Sequence, residues 1–538
     1  MHAMSVRDPG VPVALAPSSF RVAVKASVVA VAAVGLVAPG VVVDQYGDTA
    51  VAASTTVVPR PIAGWQHDRL TSGVDLYRGT ASGRPGADHW TVTVRANGAH
   101  LATEQGAETL TERLRGAGFN ARSERVEWPR GSDRKGLVGV RVRVGEYDIQ
   151  SEADAQRQAL AAAGFEAVSE WTGADGVPGT GLAQVKVAIV DPRRYRGALD
   201  ATYGTGVAGR EKVSDMAVAN DALLGVNAGF FVMEGKDGVP GASAGIAAYD
   251  GELQSAATNG RIAAVLRGDG LRPEFKKLST ELRVRAGGAT AMVDGVNRVP
   301  GLVRNCGGVG GDSPTERPQH DVTCTDPDEI VEFTDELGAS TPAGDGVEAV
   351  LDEGGRVREV RARGGAVPKG GSVLAGIGEG ASWLRTHAKP GTELTVRRRI
   401  LDERGRELEL GPQDDIVNGG PELVRNGEVA VNYGADGIER TGDPSFAYTW
   451  GIKRKPRMLL GVDGWGRVLL VAVDGRRPGH SDGFGLSEGA ELMKSLGAVR
   501  AMALDGGGSV STVVNGKLIN SPSDGTERPV GDALLLTR

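Results

Sequence analysis

A chain of 538 residues is too long for one typical core and points to several domain-sized pieces. A net charge of −7 with only 4% aromatic residues excludes nucleic acid as a bulk electrostatic partner, since no basic stripe interleaved with aromatics exists. The 81 glycines are scattered among Val-rich runs and read as turns between many short strands, not as low-complexity disorder.

Arg21 and Lys25 precede an apolar run at 26–43, and small residues follow through Ser54. That order predicts a signal peptide or N-terminal anchor over 1–53, hence a secreted or cell-envelope protein that touches membrane only if the segment stays uncleaved. Residues 54–88 lack periodicity and read as a flexible linker. From 89 the pattern sharpens: a strand at 90–94, a helix at 104–116, strands at 121–128 and 137–144, a helix at 151–163 capped by Ser151, and a strand at 165–171. Gly118-Phe119 and Gly164-Phe165 follow the two helices, which suggests an internal half-repeat. The order βαββαβ predicts a ferredoxin-like module over 89–172.

A Gly/Pro linker at 173–181 leads into residues 182–538, where short Val-rich strands dominate and helices are expected only around 213–220, 381–387 and 486–496. The fold class is therefore α+β: a small N-terminal module, then a larger sheet-rich mixed α/β domain. Residues 300–342 are less regular and read as a surface excursion stapled by Cys306 and Cys324, the only two cysteines. The competing reading is a metal site using His320 and Cys324 with Cys306 and Asp312 or Asp321, but the spacing matches no strong zinc signature.

The most informative stretch is Leu504-Asp505-Gly506-Gly507-Gly508-Ser509 between two apolar runs. It reads as a strand delivering one carboxylate to a glycine turn whose amides form a concave nest, followed by a strand and the hairpin signal Asn515-Gly516. Asp463 in Val-Asp-Gly-Trp-Gly reads as a hairpin residue. Ser509 lacks a Gly-x-Ser-x-Gly elbow, and among seven histidines only His480 lies near a motif, so a serine triad is not expected.

Two resemblances follow. Residues 89–172, with their strand-helix order and Gly-Phe returns, resemble the SPOR domain, which implies binding to peptidoglycan glycan strands. The elements NAGFF (227–231), NGGPELVRNG (418–427), PRMLLGVDGWGRVLLVAVDGR (456–476), LSEGAELMKSLGAVRAMALDGGGSVSTVVNG (486–516) and PSDGTERPVGDALLL (522–536) resemble the phosphodiester glycosidase family. Met458-Leu459 depart from it, because members commonly carry a small or hydroxyl residue after the Pro-Arg pair.

The second resemblance implies hydrolysis of the sugar–phosphate bond in a phosphodiester-linked sugar such as N-acetylglucosamine-1-phosphodiester. Asp505 is then the expected catalytic carboxylate, with Asp474 a second acid and Glu422 a weaker third. Arg457, Arg476 and Arg528 suit the diester charge, as do the amides of Gly506, Gly507, Gly508 and Ser509. Asn227, Asn418 and Asp524 are expected to bind substrate. Turn formation by Asp474 and a structural pair of Arg528 with Asp524 or Glu527 stand beside these readings. Asp474, Asp505 and Asp524 could instead hold a hard cation such as calcium, but no ligand loop of regular spacing exists, and neither metal nor cofactor is expected. Two other functions stay open: a non-catalytic binder of peptidoglycan or sugar phosphates, and a metal-dependent phosphodiesterase cutting P–O bonds.

Overall fold

The computed structural model describes residues 60–82, 88–258, 261–307, 318–338, 340–440 and 442–538. The expected signal segment and Asp312 lie outside these residues. The architecture is mixed α+β and rich in strands.

At its centre is an eight-stranded sheet in the order Gln66–Thr71, Val74–Ser82, Leu182–Val190, Val468–Val473, Arg457–Asp463, Ala498–Ala503, Glu422–Arg425, Glu428–Val429. Every neighbouring pair in it is antiparallel. Its middle strands are apolar on both faces. Val187, Ile189, Leu459, Val471 and Ala501 pack with Leu486, Ala490 and Met493 of the helix Leu486–Ser495. Ala188, Leu460, Leu470, Met502 and Leu504 pack on the opposite side with Leu224, Val226, Leu534 and Leu536. Burial on both faces explains why Val468–Val473 is a continuous apolar run. The second layer is a five-stranded sheet with Leu224–Asn227 between Thr512–Val514 and Ala533–Thr537.

The linker expected over 54–88 needs correction. Gln66–Thr71 and Val74–Ser82 are strands, and Val74–Ser82 pairs along its whole length with Leu182–Val190. Tyr77 and Leu76 are buried there, so this segment supplies core to the main sheet.

Residues 90–171 form a four-stranded antiparallel sheet in the order Ala121–Glu127, Leu137–Tyr147, Trp90–Val94, Ala167–Trp171. The helices Glu104–Gly116 and Gln150–Ala162 share its apolar core through Leu110, Leu114, Ala153 and Leu160. The Gly-Phe returns have a physical cause. Gly118 and Gly164 take φ of +86° and +83°, and the next amides, Phe119 and Phe165, donate back to Leu114 and Leu160 at 2.9 Å each. The two rings then meet edge to face at 6.0 Å. The second helix is not capped by Ser151: its N-cap is Ile149, and no side chain caps it.

The excursion at 300–342 is more ordered than expected. Leu302–Arg304 pairs with Thr323–Thr325, and Ile330–Thr334 lies inside a five-stranded sheet. Cys306 and Cys324 are joined, with Cα atoms 5.9 Å apart. No group of three or more His, Cys, Asp or Glu side chains among the described residues is placed to hold a metal ion. Replacing Cys324 with Ser will lower unfolding stability by about 3 kcal/mol, given the 18-residue separation. Urea denaturation with and without reductant checks this: reductant should shift the wild-type midpoint and leave the variant's unchanged.

Candidate active site

The triple-glycine turn sits where the two main layers meet. The backbone of Asp505 is fixed from both sides: its N–H donates to Ala228 O at 2.8 Å, and Asn227 Nδ2 donates to its carbonyl at 2.8 Å. Gly507 has a φ of +62°, open to glycine at little cost, and its N–H donates to Pro456 O at 2.9 Å. Arg476 spreads its guanidinium over Gly507, with both Nη atoms 3.4 Å from where a Cβ would stand. At Gly508 a Cβ would overlap the Arg528 guanidinium and the Asp524 carboxylate. The glycines therefore let two arginines close over the turn.

Asp505 accepts from the Gly506 N–H at 2.9 Å. Burial pushes its carboxyl up to about 6, and Asp321 raises it further; the Ser509 hydroxyl, the Gly506 amide and Arg528 oppose this. The result is an acid that titrates near neutrality beside a cluster of cations. Arg528 is paired with Asp524, Nε to Oδ2 at 2.8 Å, so the structural pairing weighed for it is present. Arg476 is exposed, and no carboxylate pairs with it among the described residues. Its surroundings and Arg528 lower its pKa, while Asp524 and Asp505 offset part of that.

Four expected site residues are committed elsewhere. Asp474 is 1% exposed, pairs with Lys186 and accepts from Ser521 N at 3.2 Å, so it is not an acid open to substrate. Glu422 is equally closed, held by Arg425 and by Arg500 at 3.0 Å. Asn227 spends both ends of its amide on backbone, donating to Asp505 O and accepting from Ser511 N at 3.1 Å. Asn418 does the same around Phe230, accepting from its N–H at 2.9 Å. Both asparagine amides are thus engaged with turn backbone.

Arg457 contributes differently from expectation. Its Nε and Nη2 donate to the carbonyls of Phe484 and Trp450 at 2.9 and 2.8 Å, with no carboxylate partner among the described residues. Burial, reinforced by Arg476, lowers it to about 10.

The structure also brings forward Lys455, Trp450 and Asp532, which the sequence did not single out, and His320, which it offered only as a metal ligand. Lys455 has no ion-pair partner among the described residues; burial pulls it down to about 7, with Arg457 and Arg476 adding to the effect. The basic run Lys453-Arg454-Lys455 ahead of the Pro-Arg pair was its available signal. His320, from the disulfide loop, sits edge-on to Trp450 at 4.0 Å and to Phe230 at 4.9 Å. Burial drives its pKa well down, with Arg261 and Arg440 adding to this, so it stays neutral. Asp532 accepts from Gly229 N at 2.7 Å and from Tyr249 Oη at 2.9 Å, and feels the charge of Asp505.

Chemically, a carboxyl titrating near 6 lies beside Arg528, paired with Asp524, and Arg476, which has no carboxylate partner among the described residues. A cleft of about 1030 Å³, lined by Trp128, Pro178, Tyr433, Ile452 and Phe484, runs between the N-terminal module and the main sheet; Asp505 does not line it.

The phosphodiester glycosidase family pattern matches residues 345–537, and the SPOR domain pattern matches 87–169. A crystal structure of a candidate exported protein from Burkholderia pseudomallei superposes with TM-score 0.79 at 31% identity, covering 90% of this chain and 99% of that one. The N-acetylglucosamine-1-phosphodiester alpha-N-acetylglucosaminidase of Mus musculus is 33% identical over 119 residues, 21% of this chain and 22% of that enzyme. An uncharacterized prophage-derived protein of Bacillus subtilis (strain 168) is 40% identical over 84 residues, 16% of this chain and 13% of that protein. The alignments thus span about a fifth or less of these curated relatives. The chain carries a phosphodiester glycosidase domain over 345–537, preceded by a SPOR domain over 87–169.

Proposed function

We propose that this protein is an exported hydrolase that cleaves the C–O bond between a sugar and phosphate in a phosphodiester-linked sugar, such as N-acetylglucosamine-1-phosphodiester, on cell-envelope glycans. The observation that carries this reading is Asp505 in the triple-glycine turn with the Arg476 guanidinium over Gly507, a cation with no anion to meet among the described residues. A bound diester supplies that anion. Guanidinium and nest amides hold its phosphate oxygens, and Arg528 joins them from its pair with Asp524.

In the proposed step, a water oxygen bonds to the anomeric carbon while the water proton passes to Asp505. The C–O bond breaks, and its electron pair leaves with the phosphate. Phosphate leaves readily as an anion, so a second protonating acid is dispensable. The commitment of Asp474 and Glu422 to buried ion pairs accords with this single-carboxylate scheme. The N-terminal module is read as a ferredoxin-like SPOR domain with peptidoglycan glycan strands as its partner. The disulfide suits an oxidising compartment, and no helix among the described residues is long and apolar enough to cross a membrane.

The test is release of free sugar from a sugar-1-phosphate diester. Arg476→Ala should raise KM about tenfold or more by removing a charge-assisted contact to phosphate. The closed state of Asp474 and Glu422 also favours a second reading, a non-catalytic binder of sugar phosphates. Saturable diester binding without turnover would establish that reading instead.

A further inference from the structure

The N-terminal sheet has helices on one face, and its other face is polar by simple alternation. Thr93, Arg141, Arg143 and Glu170 occupy that face, and none is more than 8% exposed. The glycosidase region and the intervening turn cover them. Arg143 makes a fork on Asp175 at 2.6 and 2.8 Å, Arg141 donates to Tyr448 Oη at 2.8 Å, and Glu170 pairs with Lys453 at 2.6 Å. Leu101 N donates to Ser445 Oγ at 2.9 Å beside them. A module joined only by a tether would leave such charges in water.

Three of these contacts converge on the stretch 445–453. It comprises a four-residue helix, Pro444–Ala447, running into a π-turn, Tyr448–Ile452. Elements this short have no stability of their own and take their geometry from what they pack against. The same stretch ends in the site. Trp450 gives its carbonyl to Arg457 and its ring to His320, and Lys455 follows two residues after Lys453. His100 of the module lies 3.5 Å from Glu170 and within electrostatic range of Lys453 and Lys455.

We propose that the SPOR module is a positioning element of the hydrolase, docked by its polar sheet face so that residues 444–457 hold Trp450, Lys455 and Arg457 at the rim of the Asp505 site. This rests on the function proposed above. Glu170 and Lys453 are the positioning pair: they act through the wall, not on substrate. While docked, this sheet face is closed to other ligands.

The experiment uses the full chain and a methyl diester of N-acetylglucosamine 1-phosphate, a substrate too small to engage a glycan-binding surface. Lys453→Met, Lys453→Arg and the near-isosteric Glu170→Gln are compared with wild type for kcat and KM. Circular dichroism checks folding, and hydrogen exchange reads residues 444–457. Lys453→Met should lower kcat/KM about 10- to 100-fold and speed exchange across 444–457, with Lys453→Arg recovering most of both. Rates within twofold of wild type together with unchanged exchange would overturn the proposal. If wild type itself turns over no diester, the function reading fails, and exchange over 444–457 in Glu170→Gln still decides whether the module holds the wall.

Discussion

Asp505→Asn will lower turnover of a sugar phosphodiester by about 10²- to 10⁴-fold, the range expected when a positioned proton acceptor is lost. Binding should survive, because the Asn227 and Ala228 contacts that fix this residue run through its backbone. The wild-type rate should rise with pH through an apparent pKa near 6, since the carboxylate form accepts the proton. Stability should move the other way. The folded pKa of about 6 lies above the ordinary 3.8, so the contribution of Asp505 to stability is intact below about pH 4 and is lost as pH rises through 6. The Asn variant should therefore melt with wild type near pH 4 and above it at pH 7, a stability-for-function exchange expected of an active-site group. Undiminished turnover in Asp505→Asn would remove the assignment.

Arg143→Met will destabilise the folded chain by roughly 3–5 kcal/mol, the cost of leaving a buried charge without its partner. Arg143 is 1% exposed, and it serves Asp175, Glu124 at 3.0 Å and Glu170 at 3.5 Å, so its loss strands negative charge in the interior. Urea denaturation reads the loss as a lower midpoint. Arg143→Met combined with Asp175→Leu should recover part of it, because the pair is then removed together. The pH dependence has a definite sign. Burial works against the charge on Glu170, yet Lys453, Thr93 and Arg143 hold it at about 2, below its ordinary 4.5. The stability it contributes is present above pH 4.5 and is lost as pH falls toward 2. A loss under 1 kcal/mol for Arg143→Met would mean that the module is not anchored through this network.

The parts of this protein visible in its sequence are those set by local rules. The βαββαβ order follows from hydrophobic period and from two Gly-Phe returns, each a backbone cap spanning a few residues. The triple-glycine turn was legible because positive φ and close approach by arginine both demand missing Cβ atoms. What was illegible depends on distant partners. Asp474 looks like an available acid until Lys186, 288 residues away, is placed beside it. Val74–Ser82 escaped notice because its partner strand begins a hundred residues later, beyond an intervening module. Asn227 and Asn418 were expected to bind substrate, but only the fold shows their amides spent on backbone. His320 was considered only as a metal ligand, since its place against Trp450 depends on the path of a disulfide loop.

The bond that breaks at the Asp505 turn decides between a glycosidase and a phosphodiesterase. Hydrolysis of an N-acetylglucosamine 1-phosphate diester in oxygen-18 water, followed by mass spectrometry of both products, measures this directly. Heavy oxygen in the released sugar, absent from the phosphomonoester, is the predicted result. Heavy oxygen in the phosphate would mean attack at phosphorus and would contradict the assigned chemistry.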